Sequence, residues 1–246
     1  MLDDIVNYST EPDKYLDVPF VPTDENVVEA MLNLACVGPK DVLYDLGSGD
    51  GRIVVAAAKD RDARGIGIEI DPLRIADAME YAGWSCVEYL VDFIEEDIFT
   101  ADISEATVVT MYLLESVNLQ LRPRLLSELR PGTRIVSHAF DMGDWKADEW
   151  LEVDGTKIYK WIVPARVAGA WEWETSDGKP YRVELQQKYQ EVSGSAWLAD
   201  RKVDLKGAKL RGSRLELVLL KDETTSPDSF TLNFADGKLK SVVPDK

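Results

Sequence analysis

The sequence predicts an α/β fold in which a mostly parallel sheet ends in an antiparallel hairpin and is followed by a small all-β domain. Three observations carry that expectation. Residues 26 to about 140 alternate short apolar runs with segments of helical period, the βαβ signature of a mostly parallel sheet. Asp154-Gly155 then separates two apolar runs in "WLEVDGTKIYKWIVP", a strong hairpin signal. Beyond Pro164 the helical period gives way to short alternating runs punctuated by Gly and Asp. The expected domains are 1–164, with 1–25 as a lid segment, and 165–246.

Each element follows from its pattern. "VVEAMLNLACV" places Val27, Val28, Met31, Leu34 and Ala35 on one helical stripe, with Thr23, behind Pro22, as its N-cap. "VLYDL" is the first strand, "RIVVAAAKD" the helix that follows its glycines, "GIGIEI" the second strand and "PLRIADAMEYAGW" the next helix. "CVEYLVDF" and "ATVVTMYLL" are the third and fourth strands, "LQLRPRLLSEL" a helix and "TRIVSHAF" the fifth strand. In the second domain the expected strands are "VAGAWEWE", "YRVELQQKYQ", "VDLKGAKL", "SRLELVLL", "SFTLNF" and "KLKSVV", with Trp171, Trp173, Tyr181, Tyr189 and Trp197 read as core.

Composition narrows the class. The chain has 246 residues, 45% of them hydrophobic, enough for one core and a smaller second one. No run approaches the ~18 apolar residues of a membrane span. "MLDDIVNYSTEPDKYLDVPF" has neither a basic nor an apolar leader region, so a cytoplasmic protein is expected. Cys36 and Cys86 lie in apolar segments without metal or redox spacing and read as buried thiols. Residues 1–164 hold 14 Lys and Arg against 32 Asp and Glu, a net of −18, while 165–246 hold 14 against 13, a net of +1. Such a field disfavours nucleic acid and favours a cationic partner, either a lysine-rich protein or a small amine.

The chemistry concentrates in "DVLYDLGSGDGR" (41–52). A strand running into glycines and then a helix directs backbone N–H groups and the positive helix end at a ligand above the sheet edge. Dinucleotide sites use GxGxxG. Here Gly47, Gly49 and Gly51 are spaced GxGxG, and Asp45 stands two residues earlier, where a carboxylate would repel a diphosphate. It suits instead the ammonium and sulfonium of S-adenosylmethionine. Glu69 ends the second strand, 18 residues past Gly51, where it can accept both ribose hydroxyls; Asp97, after the third strand, can accept from the adenine amine beside Ile98 and Phe99. The candidate cofactor contacts are Pro22, Thr23, Asp45, Gly47, Ser48, Gly49, Asp50, Gly51, Glu69, Ile70, Asp97, Ile98 and Tyr112.

With these motifs in place, the chain resembles the class I methyltransferases that use S-adenosylmethionine, which implies a Rossmann-like seven-stranded methyltransferase sheet with a C-terminal antiparallel hairpin. "VPFVPTDENVVEAML", "GIGIEIDP", "ATVVTMYLL" and "LRPGTRIVSHAFDMGDW" narrow the resemblance to the lysine methyltransferases that modify the ATP synthase c-subunit or the adenine nucleotide translocase, and to their bacterial relatives. The resemblance covers 18–164 and implies cofactor contacts at Pro22, Thr23, Asp45, Gly47, Gly49, Glu69, Asp97 and Ile98, and a substrate wall around Tyr112, Leu113 and His138. Tyr112 and His138 are the candidate catalytic residues. Phe20, Phe140 and Trp145 could join Tyr112 in lining the transfer point, and His138 either takes the amine proton or is structural. Three functions stay open on the sequence: protein-lysine methylation, methylation of a small amine, and cofactor binding without turnover.

Overall fold

The computed structural model describes residues 19–221 and 226–244, so only 19–25 of the expected lid segment fall within it. The first layer comprises α1 (Glu25–Ala35), β1 (Val42–Leu46), α2 (Arg52–Arg61), β2 (Arg64–Glu69), α3 (Pro72–Trp84), β3 (Val91–Glu95), β4 (Val108–Met111), α4 (Glu115–Glu128), β5 (Arg134–His138), β6 (Glu149–Val153) and β7 (Thr156–Ile162). Its seven strands run in the order β3-β2-β1-β4-β5-β7-β6. The first five are parallel, and β7 is antiparallel to both β5 and β6. The hairpin turn is the expected one, with Asp154 and Gly155 both at positive φ.

Alternation along the strands builds two cores, one on each face. Leu43, Val108 and Val136 pack with the apolar stripes of α1 and α2, while Tyr44, Leu46, Val109 and Ile135 pack with Val117, Leu121 and Leu125 of α4. The parallel strands end together near β1, and the glycine turn after Leu46 therefore opens above the sheet edge.

Several local expectations are corrected. The N-cap of α1 is Asp24, not Thr23, whose hydroxyl turns instead to His138. The buried stripe of α1 includes Leu32, and Leu34 is only half-buried. The third strand starts at Val91, because 86–89 is used to end α3. Cys36 and Cys86 are exposed rather than buried. Each sits at positive φ just past a helix, and the next residue's N–H bonds back to the helix: Val37 to Leu32 O at 3.0 Å and Val87 to Ala82 O at 3.1 Å. In this type of helix end the apolar contact belongs to the residue after the left-handed one, and accordingly Val37 and Val87 are buried.

The second sheet is an antiparallel meander of β8 (Gly169–Glu174), β9 (Pro180–Lys188), β10 (Glu191–Leu198), β11 (Arg201–Arg211), β12 (Arg214–Leu220), β13 (Asp228–Ala235) and β14 (Lys238–Pro244). It curls on itself, since Trp171 meets Phe234 and both Trp173 and Tyr181 meet Phe230 at ring separations of 4.8–5.2 Å. The β10 strand was not expected: Ser193, Gly194 and Ser195 interrupt its apolar alternation. Gly194 lies so close to β9 that a Cβ there would run into the Glu184 carbonyl oxygen. Trp145 is not at a transfer point but in the core, fully buried. Its ring lies 6.1 Å from Trp161 and 5.7 Å from Tyr189, and its indole N–H donates to Gln190 Oε1 at 2.9 Å. Tyr189 thus belongs to the join between the sheets. Trp145→Ala is expected to lower the free energy of unfolding by about 3–5 kcal/mol, the usual cost of emptying a tryptophan site, in urea titrations; a loss below about 1 kcal/mol would mean that the join is not packed as described.

Candidate cofactor site above the first sheet

The loop between β1 and α2 makes a tight turn with Gly47, Gly49 and Gly51 all at positive φ. At Gly51 this conformation starts α2, and a Cβ would meet Phe93 at 2.6 Å and Ala78 at 2.8 Å, so packing of α3 and β3 against the turn requires glycine there. Gly51 does not line the cavity. The turn's N–H groups do not fan out toward a ligand as the strand–glycine–helix pattern suggested. Gly47 and Ser48 both donate to Ile68 O, at 2.9 and 3.0 Å, Gly51 donates to Ser48 O at 2.9 Å, and Gly49 donates to Glu69 Oε2 at 2.8 Å. An array of free N–H donors for a diphosphate is absent from these positions.

Above the turn lies a cavity of about 380 Å³. Its walls include Pro22, Thr23, Asp45, Gly47, Ser48, Gly49, Asp50, Glu69, Ile70, Asp97, Ile98 and Tyr112, all among the sequence candidates. Asp45 is 2% exposed and accepts from the Thr110 hydroxyl at 2.8 Å; among the described residues no cation pairs with it. Burial pushes its carboxyl up to about 7; the Thr110 hydrogen bond opposes this, and the charges of Glu69 and Asp50 add to it. Glu69 is held more tightly than the sequence indicated. Besides Gly49, the Ile70 and Asp71 N–H groups donate to its Oε1 at 2.8 and 3.0 Å. Three of roughly four acceptor positions are occupied, which leaves about one, on Oε2, for a ligand hydroxyl. Asp97 Oδ1 accepts from Phe99 N–H at 2.8 Å, and Arg124, which the sequence reading did not single out, pins the same loop through Ile98 O and Ala101 O at 2.7 Å each.

Residues 19–23 pass over the cavity, held at three points. Phe20 occupies the space a Gly49 side chain would need and lies beneath the Arg74 guanidinium, 4.8 Å from the ring centroid. Arg52 donates to Thr23 O at 2.8 Å and pairs with Asp50 at 2.5 Å. The Thr23 hydroxyl and His138 Nδ1 share a hydrogen bond of 3.2 Å. His138 is buried, burial lowers its pKa, and its ring stacks on Tyr112 at 3.7 Å, so it backs Tyr112 rather than lining the cavity. Phe140 does not line the cavity either. Leu113 and Val117 do, and they complete an apolar side next to Tyr112. Arg52 and Arg74 escaped the sequence reading because a basic residue beside an acidic turn reads as a solvated charge.

Comparison with known proteins agrees with this geometry. A protein-lysine N-methyltransferase of Saccharolobus islandicus (strain REY15A) is 46% identical over 138 residues, which cover 56% of this chain and 86% of the relative. The chain belongs to this methyltransferase family. The profile of the ANTKMT methyltransferase domain matches residues 45–149 of the methyltransferase, from the buried acid of β1 to the start of β6. The adenine nucleotide translocase lysine N-methyltransferase of Mus musculus is 32% identical over 131 residues, and the ATP synthase c-subunit lysine N-methyltransferase of Homo sapiens 30% over 132; the chain spans a little over half the length of each, 57% and 55%. A crystal structure described as an RNA methyltransferase from Salinibacter ruber in complex with S-adenosyl-L-homocysteine is 54% identical, with a TM-score of 0.59, covering 60% of this chain and 96% of that one. The sheet is thus a methyltransferase-type α/β fold.

Asp45 makes the stability of the ligand-free methyltransferase depend on pH. Its folded pKa of about 7 exceeds the unfolded value near 3.8, so between those pH values the folded chain holds a proton that the unfolded chain releases. Stability contributed by this site is present below about pH 4 and is lost as pH rises to about 7, by an amount on the order of 4 kcal/mol. Urea unfolding of Asp45→Asn is expected to lack this decline and to show a more stable protein at alkaline pH; equal pH slopes for both proteins would refute the assignment.

Proposed function

We propose that the methyltransferase transfers the methyl group of S-adenosylmethionine to the side-chain amine of lysine in a protein substrate. The observation that carries the cofactor is Asp45, a buried carboxylate without a cation at the base of a cavity sized for a nucleoside. Ser48 lines the same cavity, with its hydroxyl oxygen buried over Gly67 of β2. Asp45 would hold the methionyl end, the remaining acceptor position of Glu69 one ribose hydroxyl, and Asp97 with Ile98 the adenine. In this reading the first sheet is Rossmann-like, 1–164 is the catalytic unit and 165–246 an accessory one.

The cofactor supplies a methyl carbon already activated by its sulfonium, so the chain need not provide a nucleophile. Its task is alignment and management of the acceptor proton. A lysine amine with a reference pKa of ~10.4 costs about 4–5 kcal/mol to deprotonate at pH 7. Desolvation beside Tyr112, Leu113 and Val117 lowers that cost, while acids kept at the rim, such as Glu96, attract the cation before it enters. The Tyr112 ring is kept in place by His138. The relatives differ in named acceptor, lysine in some and RNA in another. The net charge of −18 over 1–164 favours the lysine acceptor, since it opposes a phosphate backbone.

Incubation of a cell lysate with the protein and tritiated S-adenosylmethionine is expected to label lysines in the protein fraction. Label confined to small molecules would support a small-amine acceptor, and label in RNA would overturn the substrate class. Glu69→Ala should weaken S-adenosylhomocysteine binding by about 1.5–3 kcal/mol, the scale of charge-assisted hydrogen bonds, measured by calorimetry; an unchanged dissociation constant would remove Glu69 from the site.

A further inference from the structure

A second concavity, of about 1000 Å³, lies between α1, α2 and α3 and opens beside the cofactor cavity, with Asp50, Arg52 and Arg74 lining both. Val28, Leu32 and Val55 are buried in its floor. Tyr81 and Trp84 form one wall and are exposed, Trp84 at 76%. On α3, Leu73, Asp77, Glu80, Tyr81 and Trp84 fall within about 100° of arc, so acids and large apolar side chains share a single outward stripe. The surroundings reinforce this. Of the twelve large apolar residues exposed among the described residues, six lie between positions 73 and 94. The stretch 71–97 that contains them has eight Asp and Glu against one basic residue, Arg74.

Leu73, Tyr81 and Trp84, exposed together on the outward stripe of α3, mark an interaction face. Charge decides its partner. Around the groove, Arg52 and Arg74 pair with Asp50 and Asp77, and Glu25, Glu29, Asp60 and Glu80 face only Lys59 and Arg61. A second copy of this chain would bring a like-charged face against this one, and an anionic membrane surface would be repelled. We propose that this groove docks a cationic amphipathic segment of the protein substrate, with its apolar side chains against Tyr81 and Trp84 and its lysines or arginines on the acidic rim. The inference rests on the lysine-methylation reading and deepens it: the groove holds the substrate outside the transfer point and supplies the affinity that a single lysine side chain cannot.

The test uses the full chain saturated with S-adenosylhomocysteine and a fluorescein-labelled synthetic peptide of leucine and lysine patterned as an amphipathic helix, followed by anisotropy. The lysine peptide is expected to bind, and its counterpart with glutamate in place of lysine is not. Trp84→Ser should raise the dissociation constant about tenfold, the effect of losing an exposed aromatic anchor at an interface. The double variant Glu29→Lys, Glu80→Lys, both on the groove rim, should weaken binding as well, with a shallower salt dependence than the native chain. Because these three positions lie outside the cofactor cavity, S-adenosylhomocysteine affinity should stay as in the native protein. Equal binding of the two peptides, no binding of either, or native affinity in both variants would overturn the groove assignment. Docking failure with protein lysines still methylated leaves the function standing without the groove; peptide docking without any lysine methylation leaves the groove standing without the function.

Discussion

A carboxylate taken out of water without a positive partner is costly, and Asp45 is such a group. Everything above β1 is arranged around that cost. The Thr110 hydroxyl on the neighbouring strand is its one hydrogen-bond donor among the described residues, and the nearby charges, Glu69 and Asp50, are negative and make ionisation harder still. Asp45 stands on the same face of β1 as Leu43, where an apolar side chain would continue the core beneath α1 and α2. A buried acid kept near its titration point is well suited to one occupant, a cation that arrives with the ligand and restores the charge balance.

The second constraint is the tie between the glycine turn and the end of β2. Ile68 O accepts from two successive turn residues, and the Glu69 carboxylate gathers the N–H groups of Gly49, Ile70 and Asp71. These bonds fix the turn before any ligand binds and direct its donors inward, so the cavity above is walled by side chains rather than by a cradle of amides. Over it, the strap at 19–23 is anchored from both flanks: by Arg52 and Arg74 on the helix side and by His138 on the β5 side. His138, through its stack on Tyr112, links the strap to the apolar side where an acceptor would enter.

The order of strands and helices in the first sheet, the Asp154-Gly155 hairpin and the acids at three strand ends were legible because each rests on a local pattern: hydrophobic period, turn chemistry or spacing. What was illegible depended on local backbone geometry in some places and on contacts distant in sequence in others. Cys36 and Cys86 looked buried by their neighbours, yet the helix-ending geometry hands the buried place to the following valine. The β10 strand was hidden by small residues that exist because β9 comes close. Trp145 looked like an aromatic near a site, but the second sheet claims it through Gln190 and Tyr189. The Gly49 bond to Glu69, the hold of Arg52 on Thr23, the stack of Arg74 on Phe20 and the ties of Arg124 to the Asp97 loop follow from tertiary placement.

The central claim is that binding converts Asp45 from a protonated acid into the counter-charge of a cation. It is tested most directly by calorimetric titration of S-adenosylmethionine in two buffers of different ionisation enthalpy at about pH 6, one unit below the Asp45 value of about 7. The expected result is release of close to one proton per molecule bound, falling to about half a proton at about pH 7, and loss of the release in Asp45→Asn. Binding with no proton release at about pH 6 would contradict it.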